Sequence, residues 1–205
     1  MPFKIVLKRV VIAVPLLLAL LAGCATTPDG SDKFVAAPQP PFSLDTDQLQ
    51  PGLAVLYFKH RLVRRIDDLP GKIAADWGWK GEPIPYLNHQ FGQANVFDSG
   101  LNRGIAMELS GFIRLERPGI YRFQTKSNDG VRVYIDGRLL IDDQYYHSDR
   151  LSPVAELTIQ EPAWYSLRMR YFQRLGLATL QLYWQPPGAA DFAIVPAAVL
   201  AHRAE

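Results

Sequence analysis

Three segments in the second half of the chain alternate apolar and polar residues with a period of two. That alternation restricts the fold more than any other feature of the sequence. Val131, Val133 and Ile135 share one side of the first segment, and Asp136-Gly137 follows as a tight turn. In the second, Tyr165, Leu167, Met169 and Tyr171 alternate with Ser166, Arg168 and Arg170. In the third, Ala178, Leu180, Leu182 and Trp184 alternate with Thr179, Gln181 and Tyr183. Successive side chains of a strand point to opposite faces, so each run reads as a strand with one buried face. Gly, Pro, Asn and Asp bound the runs, and no long helical stripe competes with them. Strands of this kind predict an all-β antiparallel sandwich. The pattern fills residues 51–200, enough chain for one core, without an internal repeat.

The N-terminus follows different rules. Lys4, Lys8 and Arg9 precede an apolar run, Val10 to Ala22, that is too short for a membrane-spanning helix of about 20 residues. Its length and flanks are those of a secretory signal peptide over residues 1–23. The run ends in Leu21-Ala22-Gly23-Cys24, which resembles the lipobox of bacterial lipoproteins, and Cys24 is the one cysteine of the chain. The resemblance implies cleavage before Cys24, a diacylglycerol on its thiol and an acylated amine. Several chains hold a protein at a bilayer where a single one does not. Ala25 stands where an inner-membrane retention signal would place Asp, so the outer membrane is the expected location. Residues 24–50 are rich in Pro, Thr, Ser, Asp and Gln and read as the lipidated cysteine followed by a disordered tether. Residues 201–205 read as a short tail.

Charge narrows the partners. The whole chain has 22 basic and 20 acidic residues, and three of the basic ones lie in residues 1–23. The mature chain is thus 19 minus 20, or −1, with no basic surface of the kind that nucleic acid requires. The densest basic run, Arg61, Arg64 and Arg65, is followed at once by Asp67 and Asp68. No phosphate-binding glycine loop, nucleophile elbow or His-Glu-x-x-His sequence is present, and the four histidines lack zinc-type spacing, so a catalytic role is not expected.

The order of motifs carries a second resemblance. Gly52-Leu53, Tyr57-Phe58, Ser110 to Ile113 and Pro118 to Phe123 lead to Ser127-Asn-Asp-Gly-Val-Arg-Val-Tyr-Ile-Asp-Gly137. Leu140-Ile-Asp142, Tyr171-Phe-Gln173, Gly176, Trp184 and Pro196 follow. This series is similar to the protective-antigen (PA-fourteen) domain family across nearly all of residues 51–200. The resemblance implies a jelly-roll-like β-sandwich. It also implies a binding function, since the lectin members of the family hold Ca²⁺ with two consecutive aspartates joined by a cis peptide, and the sugar completes the ion's shell. Asp129 matches the second of those aspartates, but Asn128 stands in place of the first. An amide offers an oxygen without charge, so a calcium site here would be weakened. The other reading of Asn128-Asp129-Gly130 is a plain turn in which Asx side chains bond the backbone. In either case the loop is expected to be exposed, so that Asp129→Ala would leave folding intact. Gly130 and Gly137 are expected to supply positive φ at hairpin ends.

Beside Asn128 and Asp129, four aromatic residues are candidates to stack on a sugar ring: Tyr145 and Tyr146 in a polar stretch, and Trp77 and Trp79 around Gly78. The adjacent Asp142 and Asp143 point to opposite faces if they lie on a strand, which argues against a shared ligand role. The expected function is a noncatalytic binding module on an envelope lipoprotein, with a glycan as ligand and Ca²⁺ as a candidate cofactor. The alternative is a structural or protein-interaction lipoprotein without a metal site.

Overall fold

The computed structural model describes residues 34–36, 44–70 and 78–204. Cys24 and the signal segment lie outside the described residues. The three alternating runs become central strands of two sheets that face each other across one core.

Among the described residues the first sheet runs β1 (Phe34–Ala36), β11 (Ala155–Ile159), β7 (Gly119–Asn128), β13 (Ala178–Gln185), β14 (Ala193–Ile194). Within it, β10 (Arg150–Leu151) pairs with β7, and β5 (Asn88–Gly92) pairs with β13. The second sheet runs β2 (Leu49–Pro51), β15 (Leu200–Arg203), β6 (Ile105–Leu115), β12 (Ala163–Gln173), β8 (Val131–Ile135), β9 (Arg138–Asp143). Here β3 (Ala54–Lys59) pairs with β6 and with β4 (Gly78–Lys80). Pairing is antiparallel except between β1 and β11. Regular structure thus occurs within 24–50, at Phe34–Ala36, at the short 3-10 turn Thr46–Gln48 and from Leu49. The second sheet likewise takes in Ala201 to Arg203, beyond residue 200.

The core follows the alternation. Val131, Val133, Leu167, Met169, Tyr171, Leu180 and Leu182 are buried. Each such side chain contributes about 1.5–3 kcal/mol by leaving water. Trp184, expected inside, is half-buried and packs against the core's edge near Tyr121. Along β7 the inward residues change from Tyr121 and Phe123 to Thr125 and Ser127, so the core becomes polar as the strand approaches Asn128.

Among the described residues, the outer face of the second sheet is covered at one end. There Phe58, Ala106 and Phe172 pack under Ile66 and Leu69 of a segment that crosses the strands. Arg132 clamps that segment, with Nη1 2.6 Å from Asp67 Oδ1 and Nε 2.6 Å from Asp142 Oδ1. His60 anchors its start. The Nδ1 of His60 accepts the Val63 N–H at 3.1 Å, and Nε2 lies 3.2 Å from the carbonyls of Ile105 and Gln173.

Gly137 has φ +73°, as the turn requires. Gly130 does not have positive φ. It is glycine because a Cβ there would lie 2.7 Å from the Gln144 carbonyl oxygen and 2.7 Å from the Phe172 ring.

Candidate functional site

Asn128 closes β7, and Asp129-Gly130 turns the chain into β8. This turn meets the loop after β9 and the β12–β13 connection at one end of the sandwich. The three segments surround a groove of about 610 Å³ lined by Asn128, Asp129, Tyr146, His147, Asp149, Arg174, Leu175 and Leu177, among others.

The floor is a hydrogen-bonded set. Asn128 and Asp129 are only 8% and 5% exposed, which corrects the expectation of an exposed loop. The peptide bond between them is cis. One carboxylate oxygen of Asp129 accepts the backbone N–H of His147 at 3.1 Å, and the other accepts that of Arg174 at 2.6 Å. Asp129 therefore ties the turn to both neighbouring loops. Asn128 Nδ2 donates to Asp149 Oδ1 at 3.0 Å, while the Asn128 carbonyl accepts from the buried Tyr171 hydroxyl. The second oxygen of Asp149 accepts from Thr179 Oγ1 at 2.9 Å, and the Lys126 ammonium lies 3.5 Å from it.

The two carboxyls titrate in opposite directions. Burial raises Asp129 above the ordinary carboxylate range, although its two backbone donors oppose the shift. Burial also works to raise Asp149. There the hydrogen bonds from Asn128 and Thr179, with the charge of Lys126, outweigh it and leave that carboxyl below the ordinary range.

The rim is apolar and open. Tyr146 is 49% exposed, with the guanidinium carbons of Arg64 and Arg174 at 5.7 and 5.5 Å from its ring centroid. Leu175 and Leu177 also line the groove and are exposed. The structure thus brings Asn128, Asp129 and Tyr146 to one groove. Tyr145, 55% exposed, sits next to it and bridges by backbone to Arg65. Trp79 is elsewhere, on β4, with its ring 5.9 Å from that of Tyr57, and Trp77 lies outside the described residues. Sequence reasoning gave no binding role to Arg174, Leu175 or Leu177. No periodic signal marks them, because loops converge by topology rather than by spacing.

Calcium needs six to eight oxygens, several of them charged. Here the amide nitrogen of Asn128 faces Asp149, both oxygens of Asp129 accept N–H groups, and Asp149 is shared between a hydroxyl and an ammonium. Among the described residues no group of three or more His, Cys, Asp or Glu could hold a metal ion. The donor set does not fit the ion. Asp142 and Asp143 do point to opposite sides. Asp142 pairs with Arg132 on the exposed face, and the buried Asp143 contacts Arg150.

Comparison with known proteins agrees with this architecture. Residues 99–197 match the family model described as PA14 domain. An anti-sigma-I factor of Acetivibrio thermocellus is 24% identical over 100 residues, which cover 49% of this chain and only 15% of that protein. Among solved structures, a PA14 sugar-binding domain from an RTX adhesin is similar at TM-score 0.57 and 18% identity, with 74% of this chain and 98% of that one covered. An epithelial adhesin A domain of Candida glabrata, in complex with Galb1-3GlcNAc, is similar at TM-score 0.61 and 10% identity, with 84% and 96% covered. At such identities the likeness establishes a shared fold: the described chain is an all-β antiparallel sandwich of the PA14 type.

Proposed function

We propose that this chain is a noncatalytic recognition module of the bacterial envelope, held to the outer membrane by a lipid on Cys24, and that the groove beside Asn128 and Asp129 takes a glycan. The carrying observation is the groove's composition: a floor of hydrogen-bonding amide and carboxylate groups under a rim of exposed Tyr146, Leu175 and Leu177. Sugars present hydroxyls on their edges and C–H groups on their faces, and a site of this kind addresses both. The sugar-binding descriptions of two neighbours with the same fold support the reading.

Recognition here is independent of calcium. Hydroxyls of the ligand bond directly to Asp149 and to the Arg174 side of the groove, where the lectins of the resemblance use an ion. A glycan array probed with the full chain, with and without a chelator, tests this. Binding unchanged by chelation, lost in Tyr146→Ala at unaltered melting temperature and lost in Asp149→Ala with the circular dichroism spectrum unchanged, is expected. An empty array, or binding indifferent to both substitutions, rejects the glycan reading. Binding abolished by the chelator rejects the metal-free site. Anchoring is tested separately: Cys24→Ser should release the protein from the membrane fraction or leave an unprocessed precursor.

A second reading, docking of an envelope protein, draws on one observation, the run of exposed apolar residues Tyr145, Tyr146, Leu175 and Leu177 around the groove.

A further inference from the structure

The segment that starts at His60 brings arginines together at the edge of the loop-end groove. The His60 N–H donates to the Gly104 carbonyl at 2.8 Å, and the Gly104 N–H donates to the Arg174 carbonyl at 3.1 Å. Gly104 permits this approach: it has φ +61°, and the His60 carbonyl oxygen lies 3.1 Å from where a Cβ would stand. Arg61, Arg103 and Arg174 thus become neighbours along three separate stretches of backbone. Arg64 joins them at Tyr146, where its guanidinium carbon and that of Arg174 lie 5.7 and 5.5 Å from the ring centroid. Arg174 is also fixed in direction. Its Nε donates at 3.2 Å to the carbonyl of Leu62, a residue held in the left-handed region at φ +52°.

Among the described residues none of these four arginines has a carboxylate within ion-pair distance, and Arg61, Arg64 and Arg103 are exposed. The surrounding acids are engaged elsewhere. Asp67 and Asp68, next in the same segment, pair with Arg132 and Arg65. Asp98, on the loop that carries Arg103, accepts from the Tyr57 hydroxyl at 2.6 Å and from the Glu82 N–H at 2.8 Å. In the groove, Asp129 accepts two backbone N–H groups and Asp149 faces Lys126, while the buried Asp143 contacts Arg150. Even with Asp98 and Asp129 counted in full, the four arginines leave this edge positive on a mature chain of net charge −1.

We propose that this edge extends the groove into a site for an acidic glycan, a chain of uronate sugars. The inference rests on the glycan reading above and adds the charge of the ligand. A sugar lodged against Tyr146 brings its carboxylate to guanidinium groups already placed beside the ring, and guanidinium takes a carboxylate in a bidentate manner. Two like charges at one ring also repel each other, and an anion near both offsets that repulsion. An anionic membrane surface is the poorer occupant, because a flat surface cannot enter the groove that Tyr146 and Arg174 line.

The experiment is calorimetry of the full chain in detergent with oligogalacturonate and with its methyl ester of equal length, which keeps the rings and loses the charge. Oligogalacturonate should bind at least tenfold more tightly than the ester, and more weakly as salt rises. The paired substitution Arg61→Gln with Arg64→Gln should weaken oligogalacturonate at least tenfold and leave the ester and the circular dichroism spectrum unaffected. Tyr146→Ala should weaken both oligomers, since both need the groove. The proposal is overturned if oligogalacturonate does not bind, if the ester binds equally, or if the paired variant binds like wild type. It is overturned as well if glycerol phosphate, the charged headgroup of an anionic lipid, displaces oligogalacturonate at equal concentration of charge. Neutral glycans that bind through Tyr146 while oligogalacturonate does not would leave the glycan reading standing and remove only the acidic ligand.

Discussion

Among the described residues, the outer face of the second sheet is closed at one end and open at the other, although the same strands build both. At the closed end β3, β6 and β12 present Phe58, Ala106 and Phe172, and the chain covers them with Ile66 and Leu69. A few residues along, β6 and β12 present Ser110 and Ser166, which remain exposed. Between the two lies a row of charges in which Arg132 bonds Asp67 and Asp142, and Arg170 lies 3.5 Å from Glu108. A strand's outward residues therefore need not share one fate. Apolar ones require a cover, the charged row fastens it, and the small polar ones beyond need none.

The largest effect that would break this comparison is on stability. Phe172→Ala should cost about 3–5 kcal/mol, as truncation of a buried aromatic does, whereas Arg168→Gln and Ser166→Phe at the open end should stay within about 0.5 kcal/mol. Urea denaturation measures both, and equal costs would show that the two ends do not differ. Asp129→Ala should follow at about 1–3 kcal/mol, because it strands the N–H groups of His147 and Arg174 in a buried turn.

A pH effect of intermediate size belongs to the closed end alone. Burial holds His60 below the ordinary histidine value of 6.5, against the raising influence of the Gln173 and Ile105 carbonyls. The unfolded chain therefore takes up the proton first. The stability that neutral His60 provides is complete above that value and is lost as pH falls through the window below it, by at most about 1.4 kcal/mol per pH unit. Wild type should lose more melting temperature between neutral and mildly acidic pH than His60→Gln does. Parallel pH profiles would remove His60 from the account.

The smallest effect is local. Arg132→Gln unfastens Asp67 without uncovering the core, so global stability should change little while trypsin cleaves faster at Arg61, Arg64 or Arg65. An unchanged cleavage rate would mean that Ile66 and Leu69 hold the segment unaided.

Much of this fold was legible in the sequence. Period-two alternation marked the inner faces of β8, β12 and β13, because burial of one face imposes that period whatever the partner strand is. The turn at Asp136-Gly137 was equally local. Trp184 was less legible, since a strand's inward face at the sheet's end is only half covered. Gly130 was needed for a different reason than expected: the demand comes from Gln144 and Phe172, which approach it from distant parts of the chain.

The candidate sites divide along the same line. Asn128 and Asp129 were found because a contiguous motif carries them. Their burial, and the use of both Asp129 oxygens by backbone donors, came from loops about 18 and 45 residues away. The neighbours on the second sheet's outer face have no sequence signature either, since Ser110, Tyr134 and Ser166 come together only through strand register. Local patterning set which residues face inward and where the chain turns, because these depend on the nearest few side chains. The tertiary structure decided which outward faces are covered, which carboxylates already have donors and which side chains share a groove. Those outcomes depend on groups far apart along the chain, whose encounter is set by how the sheets pair and close.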